Sequence, residues 1–110
     1  MSTKSAIIIP PYLKKGDLIG ITCPAGYMPA AKAATCIRTL QQWGYDVMVG
    51  KTLGSPSTNY FSGTDEERAG ELQAMLDDNS IKAVLFGRGG YGMGRIIDKL
   101  DFRKFRKNPK

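Results

Sequence analysis

Residues Ile81 to Ile97 read Ile-Lys-Ala-Val-Leu-Phe-Gly-Arg-Gly-Gly-Tyr-Gly-Met-Gly-Arg-Ile-Ile: an apolar run, a glycine-rich turn and the start of a helix. Ala83 to Phe86 lie between a lysine and a glycine, the pattern of a buried central strand in a parallel sheet. Five glycines follow within eight residues, at positions 87, 89, 90, 92 and 94. In a helix interior each would cost about 1 kcal/mol relative to alanine, so they mark a place where backbone must approach something closely. A strand entering a helix through such a turn presents backbone N–H groups at the positive end of the helix dipole. These suit a phosphate, a carboxylate or a developing oxyanion. The turn is the candidate functional site.

With 110 residues the chain is one domain's worth or less, able to bury roughly two thirds of its unfolded surface. Its net charge of +6 is not spread evenly: Arg103, Lys104, Arg106, Lys107 and Lys110 supply five positives, leaving eleven against ten negatives in residues 1–102. The body is near neutral, and the short basic run reads as a solvated helix end rather than a nucleic-acid surface. There is no histidine, which excludes a His-based metal site and any Ser-His or Cys-His dyad formed wholly from these residues. Cys23 and Cys36 are too few for a disulfide framework, and both read as small buried residues. Met1 to Ala6 are polar, and Ile7 to Ile9 are too short for a signal-peptide core or a membrane span. The expected location is cytoplasmic, without a membrane partner.

Strands and helices alternate, the pattern of an α/β domain with a mainly parallel sheet. Residues 1–13 read as an N-terminal extension and 14–110 as a partial α/β domain. Lys14 to Asp17 form a turn and Leu18 to Thr22 the first strand, closed by Cys23-Pro-Ala-Gly26. Ala33, Cys36, Ile37 and Leu40 define one helix face, which Gly44 terminates. Asp46 to Val49 form the second strand. A loop from Gly50 to Gly63 follows, long enough for a role at a site or interface. Thr64-Asp-Glu-Glu67 is a capping box, with Ala69, Leu72, Met75 and Leu76 as the buried stripe of its helix. The last helix starts near Gly92 and buries Ile96, Ile97 and Leu100. The terminal Asn-Pro-Lys reads as a lead-in to another strand, so the fold is expected to be truncated.

Gly87 to Gly92 formally match the dinucleotide fingerprint G-x-G-x-x-G. The match is weak, because that motif follows the first strand of a βαβ unit and needs an acid about 20 residues on. No Gly-Lys-Ser/Thr is present, which excludes a P-loop. Arg-Gly-Gly also occurs in RNA-binding segments, but those lie in disordered tracts, whereas this one directly follows an apolar strand.

Three blocks carry a resemblance. Gly16-Asp-Leu-Ile-Gly-Ile-Thr-Cys-Pro-Ala-Gly26, Tyr60-Phe-Ser-Gly-Thr-Asp-Glu-Glu-Arg68 and Arg88-Gly-Gly-Tyr-Gly92 with Arg95-Ile-Ile after it stand in one order over nearly the whole chain from Lys14. Together they resemble the N-terminal part of the LD-carboxypeptidases, also called muramoyltetrapeptide carboxypeptidases, and of the related microcin-immunity serine peptidases. The resemblance implies a three-layer, flavodoxin-like fold of the class I glutamine amidotransferase type. It implies a cofactor-free, metal-free serine peptidase that removes the terminal D-amino acid from the L,D-peptide bond of murein tetrapeptides. It also implies a homodimer, no nucleic-acid partner and a Ser-Glu-His triad. The serine lies in a glycine-x-serine-aspartate block after the helix that carries Arg95, and the glutamate and histidine in a C-terminal domain. None of these three positions is in the sequence, so the 110 residues alone are expected to be inactive.

What carries over is the oxyanion side of the site. One backbone donor maps to Gly90, with Gly89 as the near alternative. Arg88 either faces the substrate cleft or ties the turn to neighbouring carbonyls, and Tyr91 either lines the cleft or packs beneath it. Met93 and Gly94 depart from the family's pattern and could alter the pocket. Ser55, Ser57 and Ser62 lie in the loop without a base beside them. A rival reading is a non-catalytic binding module whose glycine turn holds an anionic ligand.

Overall fold

A computed structural model of the chain describes residues 9–26, 28–53, 64–88 and 92–110. Three strands, β1 (Leu18–Thr22), β2 (Asp46–Val49) and β3 (Ile81–Phe86), form one parallel sheet in the order β2-β1-β3. Helix α1 (Ala30–Gln42) joins β1 to β2, and α2 (Asp65–Asp77) precedes β3. The period-two alternation of β1 sends its side chains into two separate cores. Ile21, with Cys23 just beyond the strand, packs with Ala33 of α1 and Leu53, joined by half-buried Ile37 and Leu40. On the opposite face Gly20 lies under Met75 of α2, and Ala69 and Leu72 pack with Ile96 and Val84. Helices on both sides of a parallel sheet make the three layers of an α/β domain.

The connections follow from local chemistry. Gly44 adopts φ +97°, the left-handed conformation that ends a helix at little steric cost. Its carbonyl accepts from Gly16 N at 2.7 Å, which joins the turn before β1 to the turn before β2. At the head of α2, Glu67 N donates to Thr64 Oγ1 at 3.1 Å and Thr64 N to Glu67 Oε1 at 2.9 Å, the expected capping box.

Three expectations are corrected. Among the described residues the apolar run of β3 lies at the side of the sheet and not its centre: β1 lies between the other two strands, and Leu85 and Phe86 are 40% and 42% exposed. Cys23 is buried, but Cys36 is exposed, because the buried stripe of α1 runs through Ala33, Ile37 and Leu40 and leaves position 36 at its solvent side. Ile97 is exposed as well. Helix α3 covers only Gly92–Ile96, and the chain tightens into a 3₁₀ turn over Ile97–Lys99, whose narrower winding carries Ile97 off the buried face.

The basic end is tied back to α2. Short helix α4 (Arg103–Lys107) follows Asp101, whose backbone N–H and C=O both pair with the side-chain amide of Gln73. Phe102 and Phe105 stack edge to face with centroids 6.1 Å apart. Arg103 pairs with Asp101 and holds its carboxyl at a pKa of about 2. Lys110 Nζ donates to the carbonyls of Met75 and Asp78 at 3.1 and 2.6 Å, satisfying the C-terminal end of α2. Among the described residues no helix is long and apolar enough to cross a membrane.

Candidate functional site

The site lies at the C-terminal ends of β1 and β3, where parallel α/β sheets place their ligands. Two segments leave the sheet there side by side: the Cys23–Gly26 loop after β1 and the glycine turn after β3. Gly87 N donates to Thr22 O at 2.8 Å and continues the β1–β3 ladder by one residue. A Cβ at Gly87 would stand 2.8 Å from the buried Cys23 sulfur and 3.3 Å from Met28 Sδ. Glycine is therefore required at 87 by close approach, since real Cβ contacts are essentially never that short.

The Cys23–Gly26 loop is buried throughout and held by polar contacts from two sides. On one side, Cys23 N donates to Thr52 Oγ1 at 2.8 Å. The Thr52 hydroxyl in turn donates to Glu71 Oε1 at 2.6 Å, and the Thr22 hydroxyl donates to the same oxygen at 2.5 Å. Thr52 N reaches the other carboxylate oxygen at 3.1 Å. Glu71 thus gathers three donors from the end of β1 and from the turn after β2. A Cβ at Gly50 would collide with its carboxylate, which keeps that position small.

On the other side stands Arg68, fully buried on the first turn of α2. Its Nη1 donates to Pro24 O at 2.8 Å and to Gly92 O at 2.9 Å, bridging the β1 loop and the end of the glycine turn. Its Nη2 pairs with Asp65, and Asp65 also accepts from Arg95 Nε at 3.1 Å and Nη2 at 3.2 Å. Burial pulls the Arg68 pKa down, while the hydrogen bond from Arg95 holds the Asp65 carboxyl below its ordinary value. A buried guanidinium is tolerated when its charge is compensated and its donors are engaged; here Asp65 supplies the opposite charge and both Nη1 and Nη2 are hydrogen-bonded.

Of the residues singled out from the sequence, Arg88 is described and is exposed, two residues past the end of β3. Gly89, Gly90 and Tyr91 lie outside the described residues, as do Ser55, Ser57, Ser62 and most of the Gly50–Gly63 loop. Thr52 and Leu53 from that loop are buried and belong to the frame. Arg68, at the end of the Tyr60–Arg68 block, ties two carbonyls of the site loops, those of Pro24 and Gly92. Asp65, Arg68 and Glu71 were missed as a set. Their signal is a spacing of three along α2, which aligns charged side chains on the helix face that meets the site loops.

A cleft of about 520 Å³ lies between β2 and α2, lined by Met48, Val49, Ala74 and Met75 and by Thr52 and Glu71, which hold the start of the β1 loop. Neither Gly87, Arg88 nor Gly92 lines it, so hollowness and the glycine-turn chemistry do not coincide among the described residues. The two loops and their tethers converge at the ends of β1 and β3 instead. Among the described residues no three His, Cys, Asp or Glu side chains come together to hold a metal ion.

The chain is 40% identical over 101 residues to a probable murein peptide carboxypeptidase of Bacillus subtilis, covering 92% of this chain and 31% of the relative. The murein tetrapeptide carboxypeptidase of Pseudomonas aeruginosa is 30% identical over 84 residues, 76% of this chain and 27% of that protein. Among solved structures, the microcin C7 self immunity protein in complex with aspartyl sulfamoyl adenosine superposes with a TM-score of 0.80 at 28% identity, over 94% of this chain and 32% of that one. The muramoyltetrapeptide carboxypeptidase of Oxalobacter formigenes gives 0.70 at 32% identity, over 84% of this chain and 31% of that one. The chain spans about a third of the length of the relatives it matches. Residues 19–110 match the family described as LD-carboxypeptidase N-terminal domain, and the chain belongs to that family.

Proposed function

We propose that this chain forms the oxyanion side of a cytoplasmic serine peptidase that cleaves the L,D-peptide bond of murein tetrapeptides and releases the terminal D-amino acid. One observation carries the reading: the glycine turn leaves β3 beside the β1 loop, and a buried guanidinium ties the carbonyl of Gly92 to that of Pro24. Acyl transfer needs donors fixed in advance at the place where the tetrahedral oxygen will form. We assign one donor to the backbone N–H of Gly90, with Gly89 as the alternative, and place Arg88 and Tyr91 along the substrate cleft.

Residues 14–110 act in this reading as part of an α/β domain completed by further chain and by a C-terminal domain. The nucleophilic serine, the glutamate and the histidine come from that additional chain. The absence of histidine from these 110 residues agrees with this division. The proton taken from the serine passes to the histidine, and the glycine-turn amide stabilises the oxyanion in the same step.

Gly90→Val in the complete protein tests the assignment. Displacing one oxyanion donor lowers kcat about 100- to 1000-fold with the fold retained. An unchanged rate moves the donor elsewhere, and Gly89→Val then decides between the two glycines. A complete protein that binds murein tetrapeptide without cleaving it would favour the binding-module reading instead.

A further inference from the structure

We propose that Arg68 is a positioning residue for acyl transfer: from α2 it fixes the separation of the β1 loop and the glycine turn, and Asp65 and Arg95 hold it in place. The proposal rests on the functional reading above. One nitrogen, Nη1, donates to Pro24 O at 2.8 Å and to Gly92 O at 2.9 Å, so the two carbonyls are set by a single planar group. The second nitrogen is occupied by Asp65, whose carboxylate also receives Arg95 from the far end of α3. The fork cannot rotate to release one loop without breaking the ion pair.

The geometry does more than packing requires. Arg68 is 0% exposed, and a side chain present only to fill space there would be apolar, because burying a guanidinium carries a large desolvation cost. Its aim is also specific. One of its hydrogen bonds falls on each of the two segments that flank the site. Gly92 is two residues from Gly90, so the distance between the tether and the assigned donor is at most about 7 Å of chain. A displacement of about 1 Å at a reacting group can cost about 100-fold in rate. Lysine cannot substitute, since an ammonium is a point donor without the planar fork.

The experiment uses the complete protein with Arg68→Lys and, as a milder lesion, Asp65→Asn. Steady-state kinetics on murein tetrapeptide are combined with backbone amide hydrogen exchange. For Arg68→Lys we expect kcat to fall about 100-fold with KM within about threefold of wild type. Amides of residues 23–26 and 92–96 should exchange at least about tenfold faster while those of residues 33–40 in α1 do not change. Asp65→Asn should move both readouts the same way by less. Unchanged kcat in Arg68→Lys overturns the proposal. So does a fall in kcat accompanied by faster exchange throughout α1, which would assign Arg68 to general stability. If the wild-type protein cleaves no L,D-peptide bond, the functional reading fails on its own, and selective exchange then identifies Arg68 as a tether without a role in acyl transfer.

Discussion

The two segments that meet at the site are held in different ways. The Cys23–Gly26 loop is buried along its length, with Thr52 and Glu71 gripping its start and Arg68 its second carbonyl. The glycine turn is held, among the described residues, at its two ends: Gly87 by the carbonyl of Thr22 and Gly92 by Arg68. One segment is a frame and the other is mounted on it. In the proposed function the β1 loop is the fixed wall, and the glycine turn supplies backbone donors whose aim depends on its mountings at Gly87 and Gly92.

The comparison can be broken most severely at the frame. Glu71→Gln keeps the shape of the side chain but turns one acceptor into a donor facing the hydroxyls of Thr22 and Thr52. We expect a loss of about 2 kcal/mol, read by denaturant unfolding, because charge-assisted bonds are replaced by a mismatch. The damage should centre on the β1 loop, with the Arg68–Gly92 bond surviving.

A more selective break lies at the first mounting of the turn. Gly87→Ala puts a methyl 2.8 Å from Cys23 Sγ and should cost about 1–3 kcal/mol by overpacking. Combining it with Cys23→Ala should recover part of that loss. A double-mutant cycle with no coupling would mean that the turn leaves β3 by another path.

The smallest effect sharpens the comparison by leaving both segments alone. Thr64→Ala removes the capping oxygen of α2 and should cost about 1 kcal/mol without changing turnover. The same helix end gives a pH signature. Asp65 and Glu67 have carboxyl pKa values held below their ordinary ones, Asp65 by Arg95 and Glu67 by the Thr64 backbone and hydroxyl. A group with a depressed folded pKa stabilises fully above its unfolded value, and that stability is lost as pH falls through the folded one. Unfolding experiments should show stability declining below about pH 4, with a shallower decline in Asp65→Asn.

What could be read from the chain was local. The capping box of α2 is written in four consecutive residues, β1 and β2 in short apolar runs between turns, and the end of α1 in a single glycine. Arg68 and Glu71 could not be read in this way. Their partners Pro24, Gly92, Thr22 and Thr52 lie 19 to 49 residues away, and only the crossing of α2 over the sheet brings them together. An isolated apolar run also does not say which strands lie beside it: β3 reads as buried, while among the described residues only β1 pairs with it and Leu85 and Phe86 are exposed. Cys36 shows the same limit on a helix: the spacing puts it on the buried face with Ala33, Ile37 and Leu40, and packing leaves it exposed.

The most direct measurement is release of D-alanine from murein tetrapeptide, assayed in parallel for the complete protein and for these 110 residues alone. Release by the complete protein and none by the 110-residue chain is the result this account predicts. Release by the 110-residue chain would contradict it, because a nucleophile and a base would then have to lie among residues that include no histidine.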